Sequence, residues 1–197
     1  MKIFLNEEGL LNALLANDQL VLVFKIIEQL ALSDCWLCAG TIRNFIWNHL
    51  SGRTGMDHLN DVDVIFFDPA LSYEETVNLE TQLKEEHPEF RWELKNERYM
   101  HLHNPKTAPY ENCYDAVSKF PETCTAIAVR MEKGKLELIA PHGVDDLVNF
   151  VVRPTPHFME HDARKKIYQE RVSKKEWQKI WPQLTVEEVE KKSGGLL

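Results

Sequence analysis

Apolar residues recur every three or four positions over much of the chain, and that spacing predicts helices. In "NEEGLLNALLA", residues 6–16, Leu10, Leu11, Leu14 and Leu15 form one stripe. Residues 18–32, "DQLVLVFKIIEQLAL", predict a second, largely buried helix. "CWLCAG" is a short apolar segment, strand-like or extended, ending at Gly40. In "TIRNFIWNHL", residues 41–50, Ile42, Phe45, Ile46 and Leu50 share a helix face, with Thr41 as N-cap and Gly52 as stop. The loop "SGRTGMDHLN" follows, then a strand over 61–67. Residues 72–86 predict a helix opened by Ser72, with Glu75 at the capping-box position. "FRWELKN", residues 90–96, alternates as a strand does, and residues 123–141 read as a hairpin around Gly134. Residues 97–121 are irregular or short-helical, and "GVDDLVNFVV" is a short helix leaving the core. The tail is mostly helical and ends in "KKSGGLL", expected to fray.

This order of elements predicts an α/β (α+β) fold, a mixed sheet flanked by helices, with helical N-terminal and C-terminal additions. Residues 1–155 are expected to form the main unit and 156–197 a helical extension packed on the same domain. A chain of 197 residues suffices for one substantial core.

Composition narrows the functional classes. The chain is 44% hydrophobic and 27% charged, as soluble globular proteins are. A net charge of −8 disfavours a broad duplex-DNA surface, which needs many cations facing phosphates. No apolar run is long enough for a membrane span, so no membrane partner is expected. "MKIFLNEEGL" brings acids too early for a secretory signal, so cytoplasmic localisation is expected. Of the four cysteines, Cys35 and Cys38 form a CxxC. With no second CxxC and apolar surroundings, small buried hydrophobes explain them better than a redox pair or zinc site.

The chemistry concentrates in "HLNDVDVIFFD", residues 58–68. Strands disfavour Asp, yet Asp61 and Asp63 open this one, and alternation puts both on one face. Two such carboxylates repel and are costly to bury unless a cation joins them. Asp61 and Asp63 could hold hard divalent cations through oxygen. Glu93, from the later strand, is the candidate third carboxylate, completing a two-metal site with ions roughly 3.5–4 Å apart. Gly40, at the start of a helix, lets backbone approach a phosphate at the positive helix end. Arg43 lies one turn further in and could reach the same anion, and Lys95 shares the Glu93 face and could neutralise a phosphate or an idle carboxylate.

This run resembles the polymerase-β-type nucleotidyltransferase superfamily: a glycine-led helix, an Asp-x-Asp strand and a third acid on a later strand. It is most similar to a family of uncharacterised bacterial nucleotidyltransferase-like proteins, through "AGTIRNFIWNHLSG", "NDVDVIFFD", "RWELKNERYMHLH", "FPETCTAIAVRME" and "APHGVDDLVNFVVRPTP". The likeness covers about residues 10–157. It implies a polymerase-β-like core and Mg²⁺- or Mn²⁺-dependent transfer of an NMP group from an NTP to an unidentified hydroxyl of a small molecule, protein or RNA, with release of pyrophosphate. It places Asp61, Asp63 and Glu93 at the metal-binding positions, and Gly40 and Thr41 at the phosphate-binding motif. Thr41 stands where Ser or Gly is usual, the third acid is Glu, and the spacing from Gly40 to Asp61 is lengthened by the loop at 51–60, which could shape the substrate entrance. In the implied mechanism one ion binds the triphosphate and a second activates the acceptor hydroxyl, with Glu93 helping to take its proton.

Other readings compete. Asp61 could belong to the loop and Asp63 could pair with Arg43 or Lys95. Glu93 could make a cross-strand salt bridge, and Arg43 could be a surface helix charge. At the level of function the rivals are a nucleotide- or partner-binding module without turnover, and a metal-dependent phosphohydrolase using His101 and His103. Asp68 is best explained by turn chemistry before Pro69, and Asp145 and Asp146 by capping of a helix. His157 and His161 have i, i+4 spacing but not the zincin pattern. In the basic stretch 163–181, Ile167, Tyr168, Trp177 and Trp181 are expected to pack on the core while Lys and Arg stay solvated. RNA binding through that stretch is the alternative.

Overall fold

The computed structural model describes residues 5–53, 55, 56 and 61–189. Helices α1 (Glu7–Leu15) and α2 (Asp18–Gln29) open the chain, each capped by an asparagine, Asn6 and Asn17. A central sheet follows with strand order β3-β2-β1-β4-β5. Its members are β1 (Trp36–Cys38), β2 (Asp61–Phe66), β3 (Arg91–Asn96), β4 (Ala128–Glu132) and β5 (Lys135–Ile139). Only the β2–β3 pairing is parallel, so the sheet is mixed.

Local chemistry accounts for much of this. Helix α3 (Ala39–Leu50) joins β1 to β2. Helix α4 (Tyr73–Glu86) joins β2 to β3 and forms the expected capping box between Ser72 and Glu75. The crossover from β2 to parallel β3 needs such a helix. The expected hairpin is present but shorter, because residues 123–127 turn rather than extend; Lys133 and Gly134, both at positive φ, make its tight turn.

The two faces of the sheet differ. Val62, Val64, Phe66, Trp92 and Leu94 point into the main core, with the buried residues of α1, α2 and α3. On the opposite face Ile65 joins Trp36, Cys38, Cys113 and Val117 in a smaller cluster, covered by α6 (Cys113–Ser118). The short elements α5 (Glu97–Met100) and a 3-10 turn at His101–His103 lead from β3 towards α6.

The outer edge of β3 is closed by a side chain. Glu80 of α4 reaches over it, accepting the backbone N–H of Leu94 at 2.9 Å and the Lys95 ammonium at 3.0 Å.

The later chain forms α7 (Asp145–Val148), β6 (Val151–Val152), α8 (Pro156–Met159), α9 (Asp162–Lys175), α10 (Trp177–Ile180) and β7 (Thr185–Val186). Phe158, Tyr168, Trp177, Trp181 and Leu184 lie in the main core. The aromatics of the basic stretch therefore pack inward, as their spacing implies. Its helix breaks at Glu176, which adopts a left-handed conformation between α9 and α10. Among the described residues no single helix is long and apolar enough to cross a membrane.

Candidate active site

The site is built where β1, α3, β2 and β3 meet. The turn from β1 into α3 passes through Ala39, whose φ of +48° is unfavourable for a residue with a Cβ. Its N–H donates to Ile127 O at 3.0 Å, which ties the strained turn to the β4 side. Helix α3 thus begins two residues before Thr41. The expectation that Thr41 caps the helix fails, and no side chain caps that end.

The Thr41 hydroxyl instead joins the helix to β2. It accepts the Asp63 N–H at 2.8 Å and donates to Asp61 O at 3.1 Å. Gly40 is pressed against the same strand: a Cβ there would lie 2.7 Å from Asp63 Oδ2. Only glycine permits this approach of helix start and carboxylate.

The parallel register sets Asp61 opposite Arg91 and Asp63 opposite Glu93. Asp61 is thus a strand residue, not a loop residue, and shares one face with Asp63 and Glu93, as alternation predicts. The Asp63 carboxyl is pushed up to about 6, first by burial and then by the Glu93 charge, while Arg43 opposes the rise. Asp61 makes an exposed ion pair with Arg91 at 3.2 Å. Surplus negative charge on hard oxygen donors suits a divalent cation. Among the described residues, however, no three His, Cys, Asp or Glu side chains stand in metal-ligating arrangement.

Two of the predicted cations take different positions from those expected. Arg43 is neither a surface charge nor turned out to a ligand: it is 3% exposed. Its guanidinium donates to Thr125 Oγ1 at 2.8 Å and to Asn44 Oδ1 at 2.9 Å. It lies over the rings of Trp177 and Trp47, at 4.4 and 5.2 Å from their centroids. Its Nη2 is 3.6 Å from the Cβ position of Gly40, so the charge sits directly behind the glycine. Lys95 is drawn to Glu80 at the sheet edge, away from the role of neutralising a phosphate; the carboxylate it takes is on α4.

The residues given bland readings sit as follows. Asp68 accepts the Ala70 N–H at 2.8 Å in a turn. Asp145 and Asp146 fall in the first turn of α7 but do not cap it, and Asp146 accepts from Thr123 and Arg153. Cys35 and Cys38 belong to different apolar clusters on opposite sides of the sheet, so they form neither a redox pair nor half of a zinc site. His157 lies in α8 and His161 precedes α9, which separates the pair onto two helices. The loop residues 54 and 57–60 lie outside the described residues, and with them most of the expected entrance loop.

Sequence reasoning missed the contributions of four residues. Thr125 and Trp177 hold Arg43 from far along the chain, and no local pattern connects them to it. Buried Glu122 accepts from Arg171 of α9 at 2.6 Å. Glu97, the first residue of α5, is 3% exposed; burial pushes its carboxyl up to about 8. A groove of about 1470 Å³ lies elsewhere, lined by α9, α10 and the segment after β7, including Tyr168, Trp177 and Val189. It contains none of the three carboxylates.

Comparison with known proteins shows the family and the fold. A family model described as nucleotidyltransferase matches residues 25–186. An NMR structure described as revealing a CCA-adding enzyme head domain is 47% identical, with a TM-score of 0.89, over 95% of this chain and 99% of that one. The Thermotoga maritima CCA-adding enzyme complexed with tRNA shares the fold at 15% identity and a TM-score of 0.51; the chain spans 44% of that longer protein. No curated protein matches.

Proposed function

Because this chain belongs to the nucleotidyltransferase family, we propose that its acid-bearing strand face transfers an NMP group from an NTP to an acceptor hydroxyl, with release of pyrophosphate. The observation that carries the reading is the meeting of Gly40 with Asp63, itself opposite Glu93. Asp61, Asp63 and Glu93 would supply the oxygen donors for Mg²⁺ or Mn²⁺, Asp61 from the position in which it now pairs with Arg91. Bound there, the ion supplies charge neutralisation for the triphosphate and activation of the acceptor oxygen.

The chain's own groups do the positioning. The uncapped start of α3 offers backbone N–H groups to the triphosphate. Gly40 allows that anion to approach, and Thr41 keeps the helix start in register with Asp61 and Asp63. Arg43 does not touch the nucleotide; held by Thr125 and Trp177, it places fixed positive charge behind the phosphate seat. Lys95 braces the edge strand that carries Glu93. We assign residues 1–155 to the catalytic unit and 156–197 to its extension, from which Trp177 reaches back to Arg43.

Each labelled NTP with Mg²⁺ and a cell extract tests this. Transfer of label and release of pyrophosphate, both lost in Asp63→Asn, are expected. NTP binding without transfer to any acceptor would overturn the reading in favour of a binding module.

A further inference from the structure

A hydroxyl, an imidazole and a carboxylate line up away from the acidic strands. Thr107 Oγ1 stands 2.9 Å from His157 Nε2. The other ring nitrogen, Nδ1, is 3.6 Å from Glu160 Oε2, and Arg164 Nη2 holds that same oxygen at 3.2 Å. This is the order of nucleophile, base and orienting acid. In the tautomer with Nδ1–H facing Glu160, the Nε2 lone pair is the nearer acceptor for the Thr107 O–H, the other being Pro105 O at 3.5 Å. Burial, and then the charge of Arg164, hold the imidazole below the ordinary histidine range. It is therefore neutral near pH 7 and free to take a proton. Thr107 is half-buried between exposed Lys106 and Ala108.

The segment bearing Thr107 leads into α6, whose Cys113 and Val117 pack with Cys38 and Ile65. Ile65 alternates with Asp63 on that face, so α6, which follows the Thr107 segment, covers the side of the sheet that carries the acids.

We propose that Thr107 is a nucleotidyl acceptor site of this chain, modified by the acidic strand site of the same or a second copy. The proposal rests on the reading of that site given above. The Thr107 Oγ–Pα bond forms and the bond from Pα to the oxygen bridging to the β-phosphate breaks. Pyrophosphate leaves, and the hydroxyl proton passes to His157 Nε2. Glu160 then faces the imidazolium, and Arg164 keeps that carboxylate in place.

Two measurements test it. The full chain is first treated, without metal or nucleotide, with a fluorophosphonate that reports activated hydroxyls. One adduct is expected, on Thr107, and its formation should slow about 100-fold in His157→Gln, the scale of a lost general base. The chain is then incubated with each NTP and Mg²⁺, and its peptides are mapped by mass spectrometry. One NMP per chain is expected on Thr107, absent in Thr107→Ala, kept in Thr107→Ser, and carried by Asp63→Asn only when wild-type chain is present. No fluorophosphonate adduct at Thr107 would overturn the proposal. So would Asp63-dependent labelling of other acceptors with Thr107 unmodified; that result leaves the parent reading standing. Absence of Asp63-dependent transfer to anything overturns both. If Thr107→Ala fails to fold, the Thr107→Ser and His157→Gln results decide.

Discussion

Asp63 faces Glu93 across the parallel ladder of β2 and β3, and burial, then the Glu93 charge, push the Asp63 carboxyl up to about 6. A bound dication would relieve the repulsion and stabilise the folded state by mass action. Millimolar Mn²⁺ should therefore raise the melting temperature of the wild-type chain. Asp63→Asn should abolish most of that rise while melting at or above the wild-type temperature in metal-free buffer. Calorimetry with and without Mn²⁺ reads both quantities.

Gly40→Ala would set a Cβ 2.7 Å from Asp63 Oδ2. Either the helix start or the carboxylate must then move. Because catalytic geometry tolerates little displacement, NMP transfer should fall about 100-fold. The stability cost should stay near 1–3 kcal/mol, typical of an overpacked contact. Transfer assays together with chemical denaturation distinguish the two effects.

Glu97 gives stability an alkaline dependence. Its folded-state carboxyl is raised from 4.5 to about 8, so the folded chain binds the proton more tightly than the unfolded chain does. Stability is then greatest below the unfolded value and falls as pH rises towards 8, by about 1.4 kcal/mol per pH unit where the two states differ by a full proton. Glu97→Gln should flatten this slope between pH 5 and 8. Urea midpoints measured across that range check it.

Arg171 donates to buried Glu122, whose second oxygen has no hydrogen-bond partner among the described residues. Arg171→Leu should cost about 3 kcal/mol, because it strands a buried carboxylate. Adding Glu122→Gln should recover part of the loss. A double-mutant cycle by denaturant unfolding measures the coupling.

What could be read in advance follows from the range of the forces involved. The Ser72–Glu75 box is a contact three residues long, and helix α4 was legible to within a residue. Alternation alone put Asp61 with Asp63, and Glu93 with Lys95, on common faces. The pairing of Asp63 with Glu93 depends on a β2–β3 register that no local pattern encodes. The start of α3 was misplaced because Ala39 accepts a left-handed backbone where glycine would ordinarily signal it. Arg43 read as a surface or ligand-facing charge because its partners, Thr125 and Trp177, arrive from distant segments and desolvate it only in the folded chain. Lys95 was assigned to the correct strand, but the acid that captures it comes from across the sheet margin.

Glu80 has a consequence beyond its own helix. By occupying the Leu94 amide it takes the place of a neighbouring strand's carbonyl, and the charged Lys95 beside it would be costly to bury under any chain adding there. The sheet is thereby insulated against growth by intermolecular strand addition at the end nearest its carboxylates. Glu80→Ala should expose that margin and increase self-association as concentration rises.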